Sequence, residues 1–211
     1  HNFYSQIGFW KTKLTELDER SNNLQEQKLF IQIMQMLCLD SDGDGIFINQ
    51  MEIKVKMYEN DIFPLKFGMD DSNRPYVIFS TKLSYDDFFS HNPSLNEIKK
   101  EKNNFKDVPI FYYESFTNKF SNYIEYISSV LDLYYASCVS RNQMNIHIIS
   151  NSKYVGLTIA HIWQVINDTN ISMSIRMRYL KLFRVLYIDS EPYLRISKFR
   201  LRVFMWNNKP K

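Results

Sequence analysis

The segment LCLDSDGDGIFINQMEI, residues 37–53, decides how the chain is expected to fold. Cys38 lies at the end of an apolar helical pattern, an acidic turn follows, and a second helical pattern begins near Asn49. Asn49 is a favourable N-cap residue, and Glu52 stands three places later, as in a capping box. The segment is therefore predicted to be a helix end, a turn and the start of the next helix.

The second half of the chain contains an echo of this segment. In SCVSRNQMNI, residues 137–146, a cysteine again ends a helical pattern, and a turn, Asn-Gln-Met and an isoleucine follow. Two copies do not establish a sequence repeat. Long amphipathic helices joined by such turns nevertheless favour a stacked helical array over a closed bundle.

The spacing of apolar residues divides the chain into four parts. Residues 1–60 are predicted to form an N-terminal helical hairpin or repeat, because apolar side chains recur at steps of three and four. Residues 61–83 are predicted to form a short β-hairpin, in which IFPLKFG and PYVIFS flank the turn MDDSNR. Residues 84–110 are interpreted as a polar linker with a short helix, and residues 111–211 as C-terminal helical repeats.

Three amphipathic patterns support the helical assignment of the C-terminal part. From Phe116 to Cys138 the apolar side chains step by three and four residues, so this helix is expected to pack along most of its length. A second helix is predicted for KYVGLTIAHIWQVIND, residues 153–168. A third is predicted for SMSIRMRYLKLFRVLYID, residues 172–189.

The length and composition suit one ordinary globular unit or two small subdomains. The 211 residues include only two cysteines, Cys38 and Cys138, which provide no disulfide framework. A chain of this length needs no disulfide to hold a core. No apolar run approaches the roughly 20 residues that a membrane-spanning helix requires, so no membrane span is expected in this sequence.

The net charge of +3 conceals an asymmetry. From Ile171 onward there are ten basic residues and two acidic ones, whereas the rest of the chain has 16 basic and 21 acidic residues. Four cations of the third helix form a candidate contact surface: Arg176, Arg178, Lys181 and Arg184. A basic segment of this kind could meet nucleic acid or an acidic membrane face. Because no nucleic-acid module accompanies the charge, a solvated helix face with contacts to an acidic neighbouring domain is favoured, and nucleic acid is not expected.

The acidic turn resembles the opening of a calcium-binding loop. Such a loop has oxygen ligands at positions 1, 3 and 5, glycine at position 6 and a bidentate glutamate at position 12. Asp40, Asp42, Asp44 and Gly45 match the first four requirements, but position 12 is Met51, whose thioether is a poor ligand for a hard cation. The three aspartates are therefore candidates for weak calcium binding, and no other cofactor is expected.

The sequence contains no arrangement typical of an active site. The five glycines form neither a phosphate-binding loop nor a dinucleotide turn. Cys138, His147 and His161 could supply a nucleophile and a base, but Cys138 lies on an apolar stripe and His161 lies within an apolar helix. A packed cysteine and a hydrogen-bonded core histidine are the favoured interpretations, and no enzymatic activity is expected.

Taken together, these segments resemble the helical homology region shared by inositol-trisphosphate receptors and ryanodine receptors. The resemblance is carried by MLCLDSDGDGIFINQMEI, LDLYYASCVSRNQMNIHII, IRMRYLKLFRVLYIDSEP and SKFRLRVFMW, in that order along the chain. The spacing from Cys38 to Ile53 is one residue longer than in the family pattern, with the extra residue in the acidic turn. The implied fold is an armadillo-like helical solenoid, here with one short β-hairpin.

The resemblance implies a regulatory segment of a homotetrameric, ligand-gated calcium-release channel. Such a segment lies on the cytosolic side of the endoplasmic reticulum or a similar calcium-store membrane, and it contacts neighbouring domains of the same polypeptide and adjacent subunits. It relays movement from the ligand-binding core toward the pore. The basic ligand-binding motif of the family lies upstream of the matched part, so no ligand-binding residue is assigned.

Two alternatives remain open at the level of the sequence. One is a calcium-sensing module that uses Asp40, Asp42 and Asp44. The other is an adaptor solenoid whose basic third binds an acidic peptide or nucleic acid, and this alternative predicts strongly salt-dependent binding.

Overall fold

The computed structural model of the chain describes residues 24–59, 65–79, 110–112 and 121–189. These ranges contain six α-helices and three β-strands: α1 (Leu24–Cys38), α2 (Phe47–Glu59), β1 (Leu65–Met69), β2 (Pro75–Phe79), β3 (Ile110–Tyr112), α3 (Ser121–Cys138), α4 (Gln143–Ser150), α5 (Ile159–Asn167) and α6 (Met173–Phe183). A five-residue π-helical segment, Arg184–Ile188, continues α6. The described part of the chain is mainly helical and contains an antiparallel hairpin, which confirms the prediction at that level.

Several predicted elements lie outside the described residues. They are the first helix of the N-terminal part, the short helix of the polar linker and the segments beyond residue 189. Strand β3 is an element that the sequence analysis did not predict. It lies where the linker was expected to meet the C-terminal repeats.

The hairpin of β1 and β2 is closed by an aspartate turn. Asp70 Oδ1 accepts hydrogen bonds from the backbone N–H groups of Ser72 and Arg74 at 2.9 and 2.8 Å, and Asn73 adopts a left-handed conformation with φ of 59°. Short polar side chains favour such turns because they bond to nearby backbone groups. Strand β3 pairs antiparallel with β2, which gives the sheet order β1-β2-β3.

Helix α3 lies at the centre of the described core. Its side chains are buried without interruption over residues 126–131 and 136–138, and it contacts α1, α2, α4 and α6. A helix that is apolar on most of its circumference can be covered only by neighbours on several sides. The long apolar pattern that ends at Cys138 therefore corresponds to the helix around which the others pack.

The sheet is bonded to the helical layer through β1. The backbone N–H of Phe67 donates to the carbonyl of Val155 at 2.7 Å, and the buried Tyr134 hydroxyl donates to the carbonyl of Leu65 at 2.7 Å. A Cβ atom on Gly156 would lie 2.1 Å from the carbonyl oxygen of Phe67. Glycine is therefore required where the loop between α4 and α5 passes β1.

This contact explains why α5 begins later than predicted. The pattern from Lys153 suggested a helix over residues 153–168, but the helix starts at Ile159, after Gly156 adopts a φ of 85°. Thr158 is the N-cap residue, and its hydroxyl accepts a hydrogen bond from the backbone N–H of His161 at 3.3 Å. The preceding residues bond to β1 instead of extending the helix.

Helix α2 begins earlier than predicted. The carbonyl of Ile46 accepts the first helical hydrogen bond, from the N–H of Gln50 at 3.0 Å, so Asn49 lies inside the first turn and is not the N-cap. The Asn49 side chain is buried and donates to the carbonyl of Leu37 at 2.8 Å. Its amide thus satisfies a carbonyl group at the end of α1, which has no partner within that helix.

Candidate functional site

Two helical hairpins meet at their turns, and this meeting point is the candidate functional site. The first hairpin is α1, its acidic turn and α2, and the second is α3, a tight turn and α4. The second turn contains two residues with positive φ, Ser140 and Arg141, at 61° and 65°. The backbone N–H of Gly45 in the first turn donates to the Ser140 hydroxyl in the second at 2.9 Å.

The side chain of Gln50 is the central link between the hairpins. It is buried, and its Nε2 atom donates to the carbonyls of Ala136 and Val139 at 2.9 and 3.1 Å. These carbonyls belong to the last turn of α3 and the residue after it, where a helix leaves carbonyl groups unbonded. The Oε1 atom of Gln50 accepts a hydrogen bond from Asn142 Nδ2 at 3.0 Å, so both ends of the amide are used.

Two asparagines of the second hairpin complete the contact. Asn142 is the N-cap of α4, and its side chain accepts a hydrogen bond from the N–H of Asn145. Asn145 Nδ2 donates to the carbonyl of Ser137 at 2.7 Å and to the backbone carbonyl of Gln50 at 3.3 Å. We call the four buried residues Asn49, Gln50, Asn142 and Asn145 the amide junction.

The amide junction gives the sequence echo a structural meaning, with a shift in register. Asn49 donates to the carbonyl of the residue before Cys38, and Asn145 donates to that of the residue before Cys138. Each asparagine is the third residue of its helix. The Asn-Gln-Met letters, however, align Asn49 with Asn142, three residues earlier. The two turns are therefore closed by the same asparagine-to-carbonyl hydrogen bond, but the asparagine that forms it is displaced by about one helical turn relative to the Asn-Gln-Met segment.

The two turns approach each other so closely that a side chain is excluded at Gly45. A Cβ atom there would lie 2.6 Å from the carbonyl oxygen of Val139 and 2.4 Å from Gln50 Nε2. Cys38 and Cys138, at the two helix ends, are fully buried. Burial raises the pKa of each thiol to about 12, so both remain protonated and unreactive near neutral pH. The prediction of a packed Cys138 is confirmed.

The acidic turn uses its first carboxylate internally. Asp40 Oδ1 accepts hydrogen bonds from the backbone N–H groups of Asp42 and Asp44, each at 2.9 Å. Within the described ranges, no group of three His, Cys, Asp or Glu side chains is placed to hold a metal ion. The structure therefore does not gather Asp40, Asp42 and Asp44 into a calcium site; it shows Asp40 closing the turn.

The predicted basic surface is divided by internal contacts. Arg176 Nε donates to the carbonyl of Ile166 at 2.8 Å. Arg178 pairs with Asp132 of α3 at 3.0 Å, and Arg184 pairs with Asp189 at 2.9 Å. These three cations bind other parts of the same chain, so they do not form one open surface.

Lys181 differs from the three arginines. Like Arg184 it is exposed, but its side chain forms neither an ion pair nor a hydrogen bond with the residues that the structure describes. It is therefore the member of the predicted surface that best suits a contact with another molecule.

His161 is the hydrogen-bonded core histidine that the sequence predicts. Its Nδ1 atom lies 3.0 Å from the carbonyl oxygen of Gly68, which can only accept, so Nδ1 carries the hydrogen. Its Nε2 atom then accepts from the Tyr179 hydroxyl at 3.2 Å. Burial lowers the pKa of His161 to about 4, which keeps the ring neutral near pH 7. The ring thus joins α5, α6 and β1.

No family model matches the chain, and its sequence matches no curated protein. Among the described helices, none is both long enough and apolar enough to cross a membrane.

Sequence reasoning missed the role of Gln50 and Asn145. The repeated Asn-Gln-Met segment was the available signal, and it indicated the correct two helix–turn–helix connections. It did not show that the amides would bond across the two hairpins, because the residues that Gln50 and Asn145 link are 86 to 95 positions apart in the sequence.

Proposed function

We propose that this chain is a regulatory helical segment of an intracellular ligand-gated calcium-release channel and has no catalytic activity of its own. One observation carries the proposal: two hairpins that share the sequence echo lie side by side and are joined by the amide junction. Helix pairs that contact their neighbours in this way are the units of armadillo-like solenoids. The proposal therefore includes a solenoid arrangement of the whole segment.

The amide junction provides a physical reason for such a segment to relay movement. Sliding one hairpin against the other would leave the amides of Gln50, Asn142 and Asn145 buried without partners. Each unsatisfied group costs about 1–3 kcal/mol. A displacement of the first hairpin therefore carries the second with it, as a rigid unit, toward the next contact.

The proposed partners are neighbouring domains of the same polypeptide and adjacent subunits of a homotetramer. The proposed location is the cytosolic side of the endoplasmic reticulum or a similar calcium-store membrane. The exposed Lys181 and the helix surface around it are the part of the described chain best suited to such contacts. Movement that enters at the ligand-binding core would leave through surfaces of this kind toward the pore.

The test compares Gln50→Leu with Gln143→Leu in the full-length protein. The two glutamines occupy the same place in the echoed Asn-Gln-Met segments, but Gln50 is buried in the amide junction and Gln143 is exposed. Ligand-evoked calcium release is measured in cells that lack other release channels. We expect Gln50→Leu to raise the ligand concentration for half-maximal release by about 2- to 30-fold, and Gln143→Leu to leave it unchanged.

Expression level and thermal melting of both variants serve as controls for folding. Normal calcium release by a folded Gln50→Leu protein would contradict the relay role. A full-length protein that releases no calcium in response to any ligand when it is reconstituted in store membranes would contradict the channel assignment itself.

A further inference from the structure

Helix α1 has two apolar sides. One side, with Phe30 and Met34, is buried in the core. On the opposite side, Leu29 and Met36 are 58% and 74% exposed, and Ile33 between them is half-buried. Their spacing of four and three residues aligns these three side chains on one face of a single helix, so the face is continuous. We call Leu29, Ile33 and Met36 the outer stripe.

A matching apolar pattern precedes α1 in the sequence. Four apolar residues recur at steps of three, four and three: Ile7, Trp10, Leu14 and Leu17. This spacing predicts an amphipathic helix. We call residues 7–17 the N-terminal segment; it lies outside the described residues. Because an amphipathic helix buries its apolar stripe against another element, the N-terminal segment needs an apolar partner surface.

The connection between the N-terminal segment and α1 is short. Six residues separate Leu17 from Leu24, the first residue of α1. Connections of two to eight residues are usual between helices that pack side by side. A segment on so short a tether has an effective concentration of about millimolar. Even a weak contact with the adjoining helix is therefore occupied.

The two apolar patterns are mirror images about this connection. Counted outward from it, both step by four residues and then by three. In an antiparallel helical hairpin whose turn is centred between residues 21 and 22, the two patterns face each other side chain by side chain. A parallel or shifted arrangement would lose this match. The resulting pairs are Leu14 with Leu29, Trp10 with Ile33, and Ile7 with Met36.

Other occupants of the outer stripe are less favourable. A stripe of three side chains falls well short of the about 800 Å² per partner that stable protein interfaces bury, which disfavours a second copy of the chain. A separate partner would have to compete with the tethered segment. The tether also favours the outer stripe over the exposed apolar residues of α5 and α6 as the place where the N-terminal segment packs, because it ends at α1 itself.

We propose that the N-terminal segment is a helix that packs antiparallel on the outer stripe of α1 in this register. It thereby becomes part of the body formed by the two helical hairpins, and a movement of the segment is passed to α1. The inference rests on the proposed function only for this role: the segment would be the element through which movement from the ligand-binding core enters.

Disulfide cross-linking in the intact 211-residue chain tests the register. Leu14→Cys with Leu29→Cys, and Ile7→Cys with Met36→Cys, join facing positions. Ile7→Cys with Leu29→Cys is displaced by about 10 Å along the helix, and Thr12→Cys with Leu29→Cys uses the other side of the segment. Because a disulfide requires Cα atoms within about 7 Å, we expect the facing pairs to cross-link at least about tenfold faster than the two controls.

Two further arms identify the occupant. Leu14→Cys with Met177→Cys places the second cysteine on the exposed face of α6 and is expected to cross-link as slowly as the controls. Electrophoresis without reductant separates a cross-link within one chain from one between two chains. The wild type reports any reaction of the native Cys38 and Cys138, which are buried and are expected to remain reduced.

Melting temperatures measure the contact without cysteines. Leu29→Gln keeps the helix propensity of the position and would leave the melting temperature unchanged if the side chain faced water. We expect it to fall by at least about 2 °C, and Leu14→Gln to have a similar effect. The double variant should melt no lower than the lower of the two, because both substitutions remove one contact. Met144→Gln, at an exposed apolar residue of α4, is the matched control and should melt like the wild type.

Three results overturn the inference. They are equal cross-linking of facing and control pairs, cross-links that form between two chains, and faster cross-linking of Leu14→Cys with Met177→Cys than with Leu29→Cys. Additive losses of stability in Leu29→Gln and Leu14→Gln also contradict it, because the two side chains would then act at separate places.

The role of the contact is tested in the full-length protein. Leu29→Gln is expected to raise the ligand concentration for half-maximal calcium release by at least about twofold, and Met144→Gln to leave it unchanged. Normal release in Leu29→Gln would overturn this role. Out-of-register cross-linking together with altered release in Gln50→Leu sinks this inference alone, whereas in-register cross-linking in a protein that releases no calcium sinks the proposed function alone.

Discussion

At the scale of single residues, buried side-chain amides specify much of how the two helical hairpins fit together. A buried hydrogen-bonding group whose partner is removed costs more than the bond itself contributes, because the group is left without water. Gln50 uses both ends of its amide, on three partners in the second hairpin. Exchanging Gln50 for an apolar residue therefore affects the second hairpin, although the substitution lies in the first.

Asp40 provides a prediction that separates a structural role from calcium binding. Its carboxylate accepts two backbone N–H bonds within the turn. Asp40→Ala is therefore expected to lower the free energy of unfolding by about 1–2 kcal/mol, and Asp42→Ala by less than about 0.5 kcal/mol. Urea denaturation measures both values.

The same residues test the calcium-sensing alternative. With the Asp40 carboxylate engaged in the turn, millimolar calcium is expected to leave the melting temperature of the chain unchanged and to release no heat in calorimetry. A calcium-dependent rise in melting temperature that is absent from Asp42→Ala and Asp44→Ala would contradict this and restore the calcium-sensing hypothesis.

At the scale of secondary-structure elements, His161 joins two helices to the sheet. The ring is fully buried between Gly68 of β1 and Tyr179 of α6. Its pKa is lowered from 6.5 to about 4 by burial, so the unfolded state binds a proton more readily than the folded state between these values. The stabilising contribution is complete above about pH 6.5 and is lost as the pH falls toward 4.

This shift predicts a specific loss of stability in mild acid. Between pH 7.5 and pH 5, His161 alone is expected to reduce the free energy of unfolding by about 2 kcal/mol. Urea denaturation of the wild type and of His161→Gln at both pH values measures the difference, and His147→Gln, at an exposed position, is the control. If His161→Gln retains the whole pH dependence of the wild type, the assignment to His161 is wrong.

The elements themselves differ in how far the sequence predicts them. Helices α1, α3 and α6 can be predicted from apolar spacing. Each buries a stripe of side chains along its length, and that stripe is visible as apolar residues three and four positions apart in the sequence. The start of α5 does not follow, because residues before Ile159 bond to β1, which lies far away in the sequence. Strand β3 is only three residues long and depends on pairing with β2, so local spacing gives no signal for it.

At the scale of the whole molecule, the candidate site depends on contacts that no local pattern contains. The echo at Cys38 and Cys138 predicted two similar corners, but not that Gly45 would touch the second turn at Ser140. The basic residues of α6 suggested a single contact surface. Arg178 instead pairs with Asp132, 46 residues earlier in the chain. Which side chains pair over such distances in the sequence depends on how the helices pack. That packing cannot be read from the sequence before the fold is known.

The central claim is that the two hairpins behave as one rigid body, and native-state hydrogen exchange tests it most directly. We predict that the slowest amides of α1, α2, α3 and α4 open with the same free energy, and that Gln50→Leu lowers this value in all four helices. The claim would be contradicted if the amides of α1 and α2 opened at a lower free energy than those of α3 and α4 and if Gln50→Leu left both opening free energies unchanged.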